Sequence, residues 1–417
     1  MSGKIYKLIK DLVERRNASM KLAEKHKIYK SHPTYAKLDE MSRKANNLYN
    51  QCVYFAKHSD NLSEDLKRLD KVMKSFPDEH DNYRSFGYAR CAQQILRLFQ
   101  QNLRSYFASI KDYKKNPTKY TGRPNFPKFR KSGERFQIIF TNQSAKLTGQ
   151  TITIASKTFE NKLSIRLRTS SAKKICQVVF APRNDYFLVY VIYEVDDRVI
   201  SQNSNKAAAI DIGLKNLATV TFSENDEPIL YRSDLMKINN DFNRITSKYV
   251  SILKKTQNKD TSKRRKRYSE KYAGLIEDRL HKISRSIIND LSHRGVSTVI
   301  VGKNTGQKIN NKLKNFARVP LFRLITMIKY KAELAGITFI QVNESYTSGT
   351  SFLDNELPTK EFYDKSRRKY RGLFLSNDSK QINADVNASF QIMKKVYKEF
   401  VYTNSVKYAN PIVKTIC

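Results

Sequence analysis

Acidic residues are scarce in this 417-residue chain: 39 Asp and Glu stand against 78 Lys and Arg, leaving a formal net charge of +39. That imbalance disfavours an enzyme of small molecules, because like charges repel and oppose compaction. It points instead to an extended anionic partner, since Lys and Arg gain affinity by displacing counterions condensed on nucleic acid. Glycine and proline are also few, at 13 and 10, which argues against a low-complexity chain. Cysteine is rarer still. Cys52, Cys91, Cys176 and Cys417 form no Cys-x-x-Cys pair, so neither a zinc site nor a disulfide framework is expected. Free thiols suit a reducing cytoplasm. No stretch approaches the ~20 apolar residues of a bilayer span, so no membrane association is expected. The opening MSGKIYKLIKDLVERRN carries charges every few positions, unlike a secretory leader.

A core is present. Hydrophobic residues make up 40% of the chain, with 24 Tyr and 22 Phe, which excludes general disorder. The length allows two or three domains of roughly 100–200 residues each. Residues 1–25 read as a charged amphipathic helix, followed by an extended stretch near His32 to Tyr35. Leu38, Met41, Ala45, Leu48, Cys52 and Phe55 recur at spacings of three and four, predicting a helix from Ala36 to about His58. Ile95, Leu98, Phe99, Asn102, Tyr106 and Ile110 predict another from about Phe86 to Tyr113. Pro117, Gly122, Pro124, Pro127 and Gly133 then break the helical pattern. There Arg123, Lys128 and Arg130 alternate with Tyr120, Phe126 and Phe129, a mixture that suits phosphates plus base stacking, or simply a solvated basic linker. Period-two patterning over Thr151–Ile154, Lys162–Leu167, Ile175–Phe180 and Tyr186–Tyr193 predicts antiparallel sheet or a small barrel. A polar hinge closes this half near residue 205.

The second half changes type. The apolar strands AAAIDIG, LATVTF, VSTVIVGK and ITFIQVNES alternate with helices over Asp234 to Gln257, onward to about His293, Arg318 to Ala335, and Ala384 to about Glu399. That alternation indicates an α/β domain with a partly parallel sheet. Arg264 and Arg265 lie in the basic run KDTSKRRKRYSEKY, and Arg367, Arg368 and Arg371 in KSRRKYR. Asp211 ends a buried strand, with Gly213 allowing the backbone to turn beside it. Such an Asp can hold a metal at a sheet edge, serve a phosphate element as in actin-like ATPases, or merely shape a turn. Asp385 falls in the first turn of a helix whose Val386, Phe390 and Met393 face inward, where acids often act as caps.

AIDIGLKNLAT and NADVNASFQI resemble the first and third motifs of the RuvC-type nuclease domain in TnpB, the transposon-encoded RNA-guided endonucleases related to type V CRISPR effectors. LYNQCVYFAK and YARCAQQILRLFQQNLRSYF are similar to the helical recognition part, and TGRPNFPKFR to the linker into the wedge domain, so the resemblance covers most of the chain. It implies an α/β plus α and β architecture: an N-terminal helix and first wedge strand over 1–36, a helical recognition domain over 37–118, a small antiparallel β wedge domain over 119–205, and an RNase H-like RuvC domain over 206–417 with an insert at about 345–382.

Two departures from the family pattern bear on the site. The second motif usually ends its strand in Glu, whereas this strand ends in Gly302–Lys303, and Lys cannot ligate Mg²⁺. The resemblance to a subgroup with a relocated acid implies Glu344, at the end of the neighbouring strand, with Asp354 and Glu356 in reserve. The insert also lacks the cysteine pairs of many relatives, so no zinc is expected, and Tyr363, Tyr370, Leu373 and Phe374 are expected to pack it. The implied activity is Mg²⁺-dependent endonuclease cleavage of target double-stranded DNA, directed by a guide RNA and a short flanking motif. Asp211, Glu344 and Asp385 would hold two Mg²⁺ ions roughly 3.5–4 Å apart, Asp211 shared between them, and Mn²⁺ could substitute. Arg123, Lys128, Arg130, Arg264, Arg265, Arg367, Arg368 and Arg371 would contact nucleic acid. A prokaryotic, cytoplasmic and nucleoid-associated protein is implied. Gly302–Lys303 keeps open the alternative of a nuclease-inactive RNA-guided DNA-binding repressor. A plain basic RNA-binding protein leaves the spaced motifs unexplained.

Overall fold

The computed structural model describes residues 20–77, 81–154, 159, 163–196, 204–224, 226–303, 320–370, 372–401 and 411–417. Two compact units divide the chain, Arg15–Asp197 and, in the main, Arg198–Cys417.

The first unit contains β1 (Met20–Tyr29), α1 (Tyr35–His58), the short α2 (Leu62–Asp65) and α3 (Leu69–Lys74), and the long α4 (Ala89–Lys115). Six strands follow: β2 (Ile138–Thr141), β3 (Ala145–Thr148), β4 (Thr151–Ile154), β5 (Leu163–Arg166), β6 (Lys174–Pro182) and β7 (Tyr186–Val195). They form an antiparallel sheet in the order β1-β7-β6-β2 and a second one in the order β3-β4-β5. Residues 20–25, expected to be helical, are strand; residues 1–19 lie outside the described residues. The cause is tertiary, because β1 pairs with β7 along its whole length, Met20 opposite Val195 through Tyr29 opposite Tyr186. Such pairing overrides a local pattern that is weak in strands.

α1 buries the predicted stripe of Leu38, Met41, Ala45, Leu48 and Cys52. The Pro-rich basic segment is not a free linker. Asn50 donates to the Arg130 carbonyl at 2.9 Å and accepts from the Arg130 amide at 2.8 Å, while Asn46 donates to the Lys131 carbonyl at 2.9 Å. Asparagine side chains on α1 thus serve the backbone groups of a segment that proline keeps out of any ladder.

In the second unit the sheet strands are β8 (Ala207–Asp211), β9 (Ala218–Phe222), β10 (Ile229–Ser233), β11 (Thr298–Lys303), β12 (Thr338–Asn343) and β15 (Ile412–Ile416). The hairpin strands are β13 (Leu373–Leu375) and β14 (Gln381–Asn383); the helices are α5 (Leu235–Gln257), α6 (Lys263–His293), α7 (Leu321–Leu334) and α8 (Ala384–Lys394). The sheet order is β12-β11-β8-β9-β10-β15. β8, β9 and β10 run antiparallel in turn, β11 is parallel to β8 and β12, and β15 is parallel to β10. This is an RNase H-like sheet carrying an extra edge strand.

Both faces are covered. Ala208, Ile210, Val299 and Val301 pack with Leu280, Ile287, Leu324 and Ile328 from α6 and α7. Ala209 and Ile300, on the opposite face, pack with Ile392 and Met393 from α8. Burial on both faces explains the unbroken apolar runs AAAI and VIV. The last helix stops at Lys394 rather than near Glu399. The ammonium groups of Lys394 and Lys395 turn back to the carbonyls of Asn355 at 2.9 Å and Pro358 at 2.6 Å.

Candidate active site

Asp211 closes β8 directly opposite Thr219 of β9, and directly opposed residues share a face of the sheet. The following turn depends on Gly213 for a close approach rather than for an unusual dihedral: a Cβ there would stand 2.7 Å from the carbonyl oxygen of Asn216. Asp385 lies in the first turn of α8, but it is not the cap. Asn383 caps the helix, its Oδ1 accepting from the amides of Asp385 at 3.0 Å and Val386 at 3.3 Å. The Asp385 carboxylate is therefore available for other partners. Its Oδ2 accepts from Asn216 Nδ2 at 2.8 Å and its Oδ1 from Arg368 Nη2 at 3.1 Å. Arg232, near the end of β10, donates from Nε to Asn216 Oδ1 at 2.9 Å.

Glu344 follows β12 at once. Its amide donates to the Lys303 carbonyl at 3.3 Å, extending the ladder. Its carbonyl accepts from the Thr347 amide at 3.2 Å and hydroxyl at 2.8 Å, fixing a turn in which Tyr346 takes φ +70°. The side chain reaches back over β11. A Cβ at Gly302 would meet Glu344 Oε2 at 3.0 Å and Ile392 Cδ1 at 2.6 Å. The bare glycine where an acid was expected on β11 is thus the space that the neighbouring strand's acid uses.

These acids act on one another. Burial, then the charges of Asp385 and Glu344, push the Asp211 carboxyl up to about 8, with Arg368 opposing. The two reserve acids are engaged elsewhere. Glu356 accepts from Arg367 at 2.7 and 2.8 Å and from the Ser351 amide at 2.7 Å, and Asp354 accepts from the Asn377 amide at 2.9 Å. Asn216 and Arg232 escaped sequence reasoning. Asn216 stands within AIDIGLKNLAT and could have been found there; no local signal marks Arg232.

In kind, this donor set suits a hard divalent cation, because carboxylate oxygens are the ligands Mg²⁺ prefers. Thr219 Oγ1, buried and without a hydrogen-bond partner, lies across the ladder from Asp211 and offers a hydroxyl to a hydrated ion. Among the described residues no three His, Cys, Asp or Glu side chains are grouped closely enough to hold a metal ion. The Arg368 guanidinium pairs with Asp385.

The other basic candidates differ in environment. Arg123, Lys128 and Arg264 are exposed, Arg264 lying over the Tyr249 ring at 5.2 Å. Arg265 bonds the Asp260 carbonyl. Arg130 is committed to Asn46 Oδ1 at 2.9 Å and stands over Phe136. Arg367, with 18% of its side chain exposed, is held by Glu356. Arg371 lies outside the described residues. In the insert, the expected packing is corrected. Phe374 is buried with Phe352 and Ile382, Phe352 stacks on Phe390 of α8 at 4.2 Å, and Tyr370 is 66% exposed. The core forms against α8 because α8 supplies the nearest large apolar face.

The fold and this acid-lined sheet edge define an RNase H-like domain of the RuvC type, accompanied by helical and antiparallel β elements. Residues 190–308 match the family model OrfB_IS605, described as a probable transposase, and residues 322–392 match the Cas12f1-like TNB domain. These two matches support the resemblance to TnpB proteins. No curated protein matches it. Its fold is similar to that of a Cas12f1 protein solved in a complex with sgRNA and target DNA, with a TM-score of 0.58 and 13% identity, over 85% of this chain and 81% of that one. A CRISPR-Cas12f ternary complex aligns with a TM-score of 0.35 and 14% identity, over 86% and 81%. No helix among the described residues is long and apolar enough to cross a membrane.

Proposed function

We propose that the protein is an RNA-guided, Mg²⁺-dependent DNA endonuclease with Asp211, Glu344 and Asp385 as its metal ligands and catalytic acids. The observation that carries the reading is geometric: Asp211 ends β8, Glu344 reaches back beside Gly302 of β11, and Asp385 is bonded to Asn216 in the turn that follows Asp211. The likeness in fold to a Cas12f1 protein solved with sgRNA and target DNA supports it. When bound, divalent cations supply activation of a water nucleophile and stabilisation of the leaving oxygen. The chain's own residues do the rest. β8 and the Gly213 turn fix Asp211, Gly302 makes room for Glu344, and the Asn383 cap leaves the Asp385 carboxylate free of capping. Arg368 would hold a phosphate oxygen on releasing Asp385. Arg123, Lys128, Arg264 and Arg265 would grip the phosphates of guide RNA and DNA. The domain ranges 1–36, 37–118, 119–205 and 206–417 are part of the same proposal.

The test uses the protein with its co-purified RNA, whose sequence identifies the guide, and a matching duplex in Mg²⁺ or chelator. Asp211→Asn, Glu344→Gln and Asp385→Asn should abolish cleavage while guided DNA binding persists. Parent-level cleavage by Asp211→Asn or Asp385→Asn would end the site assignment. A parent complex that binds but never cuts would make it a guided DNA-binding repressor.

A further inference from the structure

Resting on that reading, we propose that Asn216 is a positioning residue that presents Asp385 to the bound cation, and that Arg232 dictates which way Asn216 points. Asn216 is 5% exposed and lies in the turn between β8 and β9, five residues after Asp211 in the same motif. Its neighbours leave it little freedom. The Leu217 amide is tied to the Tyr231 carbonyl at 2.8 Å, and the Asn216 carbonyl lies 2.7 Å from where a Cβ on Gly213 would stand. The side-chain amide has two ends with opposite roles, and Arg232 removes the ambiguity. A guanidinium only donates, so its Nε must face Asn216 Oδ1, which turns the Asn216 NH₂ toward Asp385 Oδ2. A reversed amide would set its NH₂ against the Arg232 N–H and its oxygen against the Asp385 carboxylate.

The geometry leaves Asp385 competent. A carboxylate oxygen has two acceptor directions, and one hydrogen bond at 2.8 Å occupies one of them. Pinned this way, Asp385 keeps one orientation relative to Asp211, because the turn that holds Asn216 also follows Asp211. Arg368 engages the other oxygen from the insert, but Arg232 and Asn216 come from the sheet and its turn. The fixed direction is therefore set by the sheet.

Outer hydrogen-bond partners of metal-binding carboxylates typically change metal affinity or activity by about 10–100-fold when removed. The experiment takes the full chain with its RNA and compares Asn216→Ala and Arg232→Ala with the parent. It measures Mn²⁺ binding by isothermal titration, the Mg²⁺ concentration giving half-maximal cleavage, and thermal unfolding in chelator. Both variants should weaken Mn²⁺ binding and raise the Mg²⁺ midpoint by about 10–100-fold, with cleavage recovered at high Mg²⁺. Metal-free unfolding should stay near the parent's for Arg232→Ala, which keeps the test valid if Asn216→Ala folds poorly. The proposal is overturned if Arg232→Ala keeps the parent's Mn²⁺ affinity and Mg²⁺ midpoint, or if cleavage falls and added Mg²⁺ does not restore it. A parent complex that neither binds Mn²⁺ nor cleaves overturns the functional reading, and this inference with it.

Discussion

Adding one methyl group at Gly302 is expected to damage the site more than the fold. In Gly302→Ala the new Cβ would lie 2.6 Å from Ile392 Cδ1 and 3.0 Å from Glu344 Oε2. Carbon atoms rest at about 3.5–4.0 Å, so the first contact is about 1 Å too short. Ile392 is fully buried among Ala209, Ile300 and Ile340 and has no open space to enter. Overpacking of this kind costs about 1–3 kcal/mol, or roughly 2–12 °C in melting temperature for a domain of this size. Glu344 has the more adjustable side chain and would be displaced from the site. Guided cleavage at fixed Mg²⁺ should then fall by about 10–100-fold. Adding Ile392→Val removes Cδ1 and the worst clash, so melting should recover, but the contact with Glu344 persists and cleavage should stay low. Thermal unfolding and cleavage by the RNA-bound protein give both readouts. Parent-level cleavage by Gly302→Ala, or recovery of cleavage together with stability in the double variant, would refute the idea that Gly302 exists to admit Glu344.

The metal-free protein should lose stability as pH rises. Asp211 is raised in the folded state to about 8 from the ordinary carboxylate range; its contribution is therefore fully present below about pH 4 and is lost as pH climbs through about 8, at no more than about 1.4 kcal/mol per pH unit. Melting in chelator across that range should show this slope in the parent and a flatter one in Asp211→Asn; an unchanged slope would exclude Asp211 as its source. Arg367→Ala strips the largely buried Glu356 of its partner, a change that costs about 3–5 kcal/mol for buried pairs, and should open the 345–382 insert to limited proteolysis; equal resistance of parent and variant would count against that bracing role. Arg123→Ala and Lys128→Ala should each lower the salt slope of nucleic-acid binding by about one unit without altering melting, if each neutralises one phosphate. Arg130→Ala, which loses its bond to Asn46 and its place over Phe136, should lower melting instead.

The sequence disclosed those parts of the molecule whose signals are local. Helical stripes such as Leu38 to Cys52 repeat within a few turns, and the apolar runs of β8 and β11 announce strands covered on both faces. Asp211 and Asp385 stand in compact motifs for the same reason. β1 was hidden, since its identity as a strand rests on pairing with β7 more than 150 positions away. β15 was hidden likewise, its pairing with β10 depending on a return from the chain's far end. Glu344 was reachable only through a family resemblance, because nothing near residue 344 reveals that Gly302 lies beside it. Tertiary pairing is hidden in the basic loop as well: a run of basic residues looks uniform in sequence, yet Arg367 turns inward to Glu356 and Arg368 to Asp385.

The crossing of Glu344 over Gly302 constrains how this protein can change. With Glu at both positions, a Cβ and a second carboxylate would crowd the same volume. With a small residue at 302 and no acid at 344, the edge would lose its third negative charge. On the proposed site, either single step from one arrangement to the other is expected to impair cleavage, and the exchange is expected to be tolerated only as a pair. A variant library scoring cleavage at both positions together should be sparse off that diagonal.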